Sequence, residues 1–210
     1  MHQELEIIRD NITHQHEEAA IMLKKLDPIT YRHSISVARL AAWFVETAGI
    51  DMDIEIAYYS GLYHDIGKYH IDGRILNKPS RLDQKELEII RKHPEIGYSM
   101  LKNAGFSDLV LEAVRFHHER YNGRGYPLGL AGEEIPLSAR IIHICDVYDA
   151  LTSDRPYRNG YLPEEAVRIM KESLDHYDPA LFREFAGRIL KWSAGMTKKG
   201  SKADAWKPPR

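Results

Sequence analysis

The chain has 210 residues, 43% apolar and 29% charged, with 29 Lys and Arg against 31 Asp and Glu and a formal charge of −2. This size and composition suit one compact domain with a sizeable core, and the balanced charge offers no field for a nucleic-acid polymer, so any phosphate recognition must come from a local cluster. The opening MHQELEIIRD lacks a signal-peptide core, no run approaches the ~20 apolar residues of a membrane span, and the lone Cys145 excludes an internal disulfide and fits a reducing, cytoplasmic compartment.

In chain order, Leu5, Ile8 and Ile12, then Met22, Leu23 and Leu26, recur at helical spacing and predict an N-terminal helix over 1–26. Its apolar stripe either covers the core or pairs subunits into a homodimer. Asp27-Pro28 signals the start of a helix over 30–48, with Ile35, Val37, Leu40, Ala41, Phe44 and Val45 inside it and Gly49 at its end. Further helices are predicted over about 53–68, 84–103, 108–118, 136–152, 163–174 and 179–192. Alternating strand patterns are scarce, so the expected fold is all-α, a single helical bundle over 27–192. Two loops interrupt it, 69–81 and 120–135, the latter turn-rich with Asn122-Gly123 and Tyr126-Pro127. Residues 193–210 turn polar and lysine-rich and are expected to fray or stay disordered.

The dipeptide His64-Asp65, within GLYHDIGKYH, is the most informative feature of this pattern. His33 precedes it, and His93, His117-His118 and Asp146 follow, in an order suited to two metal ions. Imidazole and carboxylate are the ligands of borderline and hard divalent metals, and a carboxylate beside an imidazole can bridge two ions while the imidazole holds one. Neighbours on a helix diverge by about 100°, which would let Asp65 reach a second ion beside that of His64. His117 and His118 fall at a helix end before a glycine-rich loop, where loss of regular geometry lets adjacent imidazoles converge. A lone histidine is more often a surface or hydrogen-bonded core residue; the ensemble carries the metal reading. His2, His14, His16, His70, His143 and His176 have no comparable setting and are read as structural or solvent-facing.

The run of His33, HDIGK at 64–68, HPEIG at 93–97, HHERYNGRGYP at 117–127 and DVYDALTSDRPYR at 146–158 resembles the HD-GYP subgroup of HD-domain phosphohydrolases over roughly residues 27–185. The resemblance implies an all-helical domain that hydrolyses cyclic di-GMP, a bacterial second messenger, to pGpG and/or GMP with two or three divalent ions, commonly iron or manganese. Carried onto this chain, it places His33, His64, Asp65 and Asp146 around one ion and Asp65, His93, His117 and His118 around the other, with Asp65 as the catalytic bridge. Some members hold a third ion through a glutamate four residues before the first histidine; here that position is Ile29, so a dinuclear centre is expected. Paired cations polarise phosphoryl oxygens and lower the pKa of a bridging water, giving a metal-activated hydroxide.

Lys68, one helical turn after His64, is expected on the same side, binding substrate and stabilising charge on a non-bridging oxygen. Arg155 and Arg158 match the family's phosphate-contacting basic residues, a role suited to planar guanidinium forks. Asp149 shares a helical face with Asp146 and is expected to orient a ligand or Arg155, Asp154 to serve as a cap or loop residue, and Glu119 to support the histidines or the loop, with a solvent-facing acid equally consistent. Gly123 and Gly125 permit tight turns. In the family the GYP segment is linked to contacts with diguanylate cyclase domains, which makes Tyr126 a candidate contact.

Asn122 stands where the family often has aspartate, and Tyr69-His70-Ile71-Asp72 replaces a segment that more often contains Gly and Pro, both of which bear on substrate fit. The residues before Asp27 are too few for the receiver or sensor domain often fused to such hydrolases, so input is expected by another route. Three alternatives stand beside cyclic di-GMP hydrolysis: another cyclic or linear dinucleotide as substrate; a diiron oxygenase, against which the GYP and RPYR segments and Lys68 argue; and a cyclic-dinucleotide-binding module with little catalysis.

Overall fold

The computed structural model describes residues 17–154 and 158–197. Expectations for 1–16, Arg155 and 198–210 lie outside these residues. The first two helices are α1 (Glu17–Lys24) and α2 (Pro28–Ala48). Asp27 opens α2 as its sequence predicts: the carboxylate accepts from the backbone N–H of Ile29 (3.0 Å) and Thr30 (3.1 Å), Pro28 occupies a position whose N–H would have no helical partner, and Gly49 closes the helix at φ 63°. The chain continues through α3 (Ile54–Tyr63), a 3-10 turn (Ile66–His70), α4 (Gly73–Leu76), α5 (Gln84–Ile90), α6 (His93–Asn103) and α7 (Asp108–Phe116). After the long loop come α8 (Leu137–Thr152), α9 (Pro163–Lys171) and α10 (Pro179–Thr197). Among the described residues there is no strand, and an isolated bridge joins Asn122 and Ala131. The all-α expectation is thus borne out.

Two predicted helices are broken, each at a site residue. The segment 53–68 stops being α-helical at Tyr63, and Asp65 (φ −99°, ψ 6°) leads into the 3-10 turn. Gly67 is pressed against α6: a Cβ there would stand 2.0 Å from the His93 carbonyl oxygen and 2.7 Å from Gly97 N. Tertiary packing, not periodicity, therefore sets the path after Asp65. The segment 84–103 divides at Arg91 and Lys92, because Pro94 offers no N–H to the Ile90 carbonyl and its ring cannot continue the helix. At the other end, α10 runs through Thr197, beyond the expected 192; Ser193 is buried and its hydroxyl meets the Glu164 carboxylate.

Two apolar clusters hold the bundle. One, from α2, α8, α9 and α10, gathers Leu40, Phe44, Ile141, Ile144, Tyr148, Phe185 and Ile189, with Phe185 edge-on to both Phe44 and Tyr148 at 5.2 Å. The other, from α1, α3, the 3-10 turn, α6 and α7, gathers Leu23, Tyr63, Ile66, Leu101, Phe106 and Val114. Each such side chain contributes roughly 1.5–3 kcal/mol when fully buried. Site residues leave elements of both clusters, His33 and Asp146 from the first, Asp65, His93 and His117 from the second. No described helix is long and apolar enough to cross a membrane.

Candidate metal centre

One local device aims three of the histidines. His64, His93 and His117 each stand at a helix end, and each Nδ1 lies near the carbonyl three residues earlier: Gly61 (2.7 Å), Ile90 (2.8 Å) and Val114 (2.8 Å). A carbonyl only accepts, so Nδ1 carries the proton and Nε2 keeps its lone pair, the ligand form of neutral imidazole. These carbonyls are available because helix ends lack intrahelical partners, and at Ile90 because Pro94 has no N–H. His143, read from sequence as structural, donates its Nδ1–H to the His117 carbonyl at 2.9 Å and steadies that turn.

So oriented, one donor atom each from Asp65, His93, His117 and His118 lie within 4.8 Å of one another, as do those of His33, His64 and Asp146. The Asp65 carboxylate faces both groups, with Oδ1 3.2 Å from His93 Nε2 and Oδ2 3.4 Å from His64 Nε2. Burial alone would raise the Asp65 carboxyl pKa, but the Lys68 ammonium and the nearby imidazoles outweigh it and hold it well below the usual carboxylate range. At Asp146 the same desolvation is overcome by the hydrogen bond and charge of His33.

The two groups differ in how they are satisfied. His33 is bracketed by carboxylates, Nε2 2.9 Å from Asp146 and Nδ1 2.6 Å from Asp149. Burial would lower its pKa, yet those two hydrogen bonds and charges carry it up to about 10. His117 and His118 are pushed the other way, first by burial and then by neighbouring imidazoles, and stay neutral. His93 Nε2 and His117 Nε2 meet at 3.2 Å with both Nδ1 protons already committed, so lone pairs confront each other. His64 Nε2 and Asp65 Oδ1 are buried without a hydrogen bond. Each such atom costs ~1–3 kcal/mol if left unpaired. Cations between these donors would satisfy them, and an all-N/O donor set suits borderline or hard divalent ions. The residues fit such a centre.

The remaining sequence-predicted residues fall in several places. Lys68 Nζ bonds Asp65 Oδ2 at 2.6 Å. The 3-10 turn therefore pairs it with Asp65 instead of stacking it one α-turn above His64, as the sequence implied. Asp149 meets His33 as expected for an orienting partner, and also takes the hydroxyls of Ser36 and Ser153. Glu119, buried, supports the loop: its Oε1 accepts from Leu128 N (2.6 Å) and Gly129 N (3.0 Å). Gly125 lets that loop cross its own beginning, since a Cβ would lie 2.4 Å from Arg120 N.

Tyr126 stacks on His118, centroids 4.7 Å apart at 27°, so its ring belongs to the rim of the cluster. Sequence reasoning passed over Arg91, whose guanidinium lies over that ring; lying just outside the HPEIG motif, it carried no signal. Asn122 is tied to Asp175 at 2.8 Å, and Asp154 takes the Gly160 N–H at 2.8 Å, a loop role. Arg158 caps α8, donating to the carbonyls of Ala150 and Leu151 at 3.0 Å and resting on the Tyr161 ring. Its guanidinium is thus committed to backbone, a pairing that no local pattern encodes. Ile29, exposed, offers no donor.

A helical bundle enclosing a cluster of five histidines and two aspartates defines an α-class domain with side chains that could hold metal. A family model described as HD domain matches residues 5–181, and the chain belongs to that family, whose phosphohydrolases use divalent metals. A cyclic di-GMP phosphodiesterase of Pseudomonas aeruginosa is 44% identical over 171 residues, covering 80% of this chain and 41% of that protein. A 3'3'-cGAMP-specific phosphodiesterase of Vibrio cholerae is 39% identical over 146 residues, covering 69% of this chain and 34% of that protein. The chain spans less than half the length of these curated relatives. Among solved structures, the HD domain of the L. monocytogenes phosphodiesterase PgpH in complex with cyclic-di-AMP is similar with a TM-score of 0.60 at 19% identity, covering 88% of this chain and 99% of that one. An HDG"Y"P protein from Bdellovibrio bacteriovorus gives a TM-score of 0.60 at 22% identity, covering 76% and 51%. These two likenesses establish the fold.

Proposed function

We propose that the chain is a metal-dependent cyclic dinucleotide phosphodiesterase that hydrolyses cyclic di-GMP to pGpG and/or GMP. The observation that carries the reading is the approach of the His93 and His117 Nε2 atoms to 3.2 Å beside the Asp65 carboxylate, a convergence of ligand atoms that suits a shared cation. The names of the relatives, cyclic di-GMP and cGAMP phosphodiesterases, supply the substrate class.

In this reading His33, His64, Asp65 and Asp146 hold one ion and Asp65, His93, His117 and His118 the other, iron or manganese, and Ile29 leaves no ligand for a third. The ions supply Lewis-acid polarisation of the phosphoryl oxygens and a nucleophile at neutral pH. The protein's part is orientation. Carbonyls of Gly61, Ile90 and Val114 fix the tautomers of His64, His93 and His117, and Asp149 fixes His33. Lys68, anchored at Asp65 with part of its side chain open to solvent, offers its remaining N–H donors to a non-bridging phosphoryl oxygen as charge grows there. Arg155 is the phosphate contact, by its match to the family pattern, and Arg158 is bonded to the end of α8.

The test is product analysis after anaerobically purified protein, reconstituted separately with iron and with manganese, is incubated with cyclic di-GMP and with 3'3'-cGAMP, with Asp65→Ala as control. Formation of pGpG or GMP only by the intact, metal-loaded protein supports the assignment. Full metal occupancy with no product from either dinucleotide rejects it, and turnover confined to 3'3'-cGAMP moves the substrate to that relative's.

A further inference from the structure

The rim of the centre carries a cation that the mechanism above leaves unused. Arg91 is exposed, closes α5 two residues before His93, and holds its Cζ 5.4 Å from the centroid of the Tyr126 ring. Tyr126 in turn stacks on His118. Two segments that flank the cluster are joined by this contact: the excursion over 72–92, in which no residue is fully buried, and the loop that follows His118. Tyr126 lies close enough to the centre to feel both Asp65 and Asp146, along with the opposing charge of Arg91.

Four other described arginines are committed. Arg115 bonds Glu95, Arg140 bonds Asp178, Arg158 caps α8, and Arg120 turns to His176. Arg91, by contrast, meets no carboxylate among the described residues. A guanidinium attracted to an aromatic ring spends no N–H on a carboxylate, and its planar fork is the group that takes a phosphate in a bidentate contact.

A cyclic dinucleotide has two phosphodiesters. With one at the cations, the other lies toward the rim, since the floor of the cluster, lined by Asp65, Asp146 and Asp149, has the wrong sign for a second anion. We infer that Arg91, steadied by Tyr126, forms an anion subsite beside His118 that binds the second, non-scissile phosphate of the substrate. This rests on the phosphodiesterase reading above.

The experiment compares steady-state hydrolysis of cyclic di-GMP and of bis(p-nitrophenyl) phosphate, a diester with no second phosphate, by metal-loaded wild type, Arg91→Ala, Arg91→Gln and Arg91→Lys. Metal content is measured on every sample. A charge-assisted hydrogen bond is worth roughly tenfold to hundredfold. The alanine variant should raise KM for cyclic di-GMP by about that factor at full metal content, with a much smaller loss for the small diester. Lysine, which keeps the charge, should recover part of the loss and glutamine none.

Unchanged KM in an active protein would overturn the inference while leaving the phosphodiesterase reading intact. Equal losses with both substrates would overturn it too, by placing Arg91 at the scissile phosphate or the ligands; rescue by glutamine as good as lysine would show that charge is not what is read. Wild-type protein inactive on every cyclic dinucleotide overturns both.

Discussion

The two halves of the candidate metal centre are built on different electrostatic plans. Around His33 the protein supplies its own counter-charge, carboxylates at 2.6 and 2.9 Å on either side of one imidazole. Around His93 and His117 it supplies imidazoles facing one another and aimed by backbone carbonyls, with His117 and His118 held neutral by burial. The first half can rest as a buried ion pair without a metal. The second sets three imidazoles against the Asp65 carboxylate, whose Oδ1 lies 3.2 Å from His93 Nε2. Asp65 stands where the plans meet, and Lys68 neutralises it from the solvent side.

That contrast can be broken most severely at the shared residue. Asp65→Ala is expected to lose metal from both halves and to reduce turnover to background; elemental analysis beside product assays decides it, and substantial turnover by a metal-free variant would refute the bridging assignment. Lys68→Ala should retain both ions and lose about 10²–10³ in kcat, the usual size for removing one donor from developing charge. Metal loss in that variant would instead make Lys68 a structural partner of Asp65.

Smaller effects separate the halves. Asp149→Asn should weaken metal binding by about 10–100-fold in the His33 half alone, as expected for a residue that orients a ligand. A metal titration that splits into one tight and one weakened step would show this, whereas uniform weakening would mean that the halves are not independent. The metal-free protein offers a pH test. The folded-state pKa of His33 is raised from 6.5 to about 10, so its stabilisation is fully present below about 6.5 and is lost as pH rises through about 10. Thermal unfolding of chelated protein should therefore fall over that window, and less steeply in Asp149→Asn. A flat profile would show that His33 is not held as an imidazolium.

Much of this was legible along the chain because it is local. Asp27-Pro28 and Gly49 bound α2 through capping chemistry that needs no distant partner. Ligand identity was readable because residue type sets donor chemistry. The breaks at His64-Asp65 and at Arg91 were harder. Pro94 was a local signal for the second, overridden by the apolar periodicity around it, whereas the first depends on Gly67 nesting against α6, a contact between separate elements. The roles of Arg158 and Arg91 had no signal, since an arginine's partner is set by where its long side chain lands.

The sequence by itself determined the helical architecture, the HD-domain motifs and the set of histidines and aspartates able to bind metal. Only the tertiary structure decided which nitrogen of His64, His93 and His117 faces a backbone carbonyl, that Lys68 pairs with Asp65, and that Tyr126 stacks on His118 with Arg91 over its ring. The physical reason is range. Helical period and donor chemistry act within a few residues, whereas His33 meets Asp149 across 116 positions, a distance that only the packing of α2 on α8 can close.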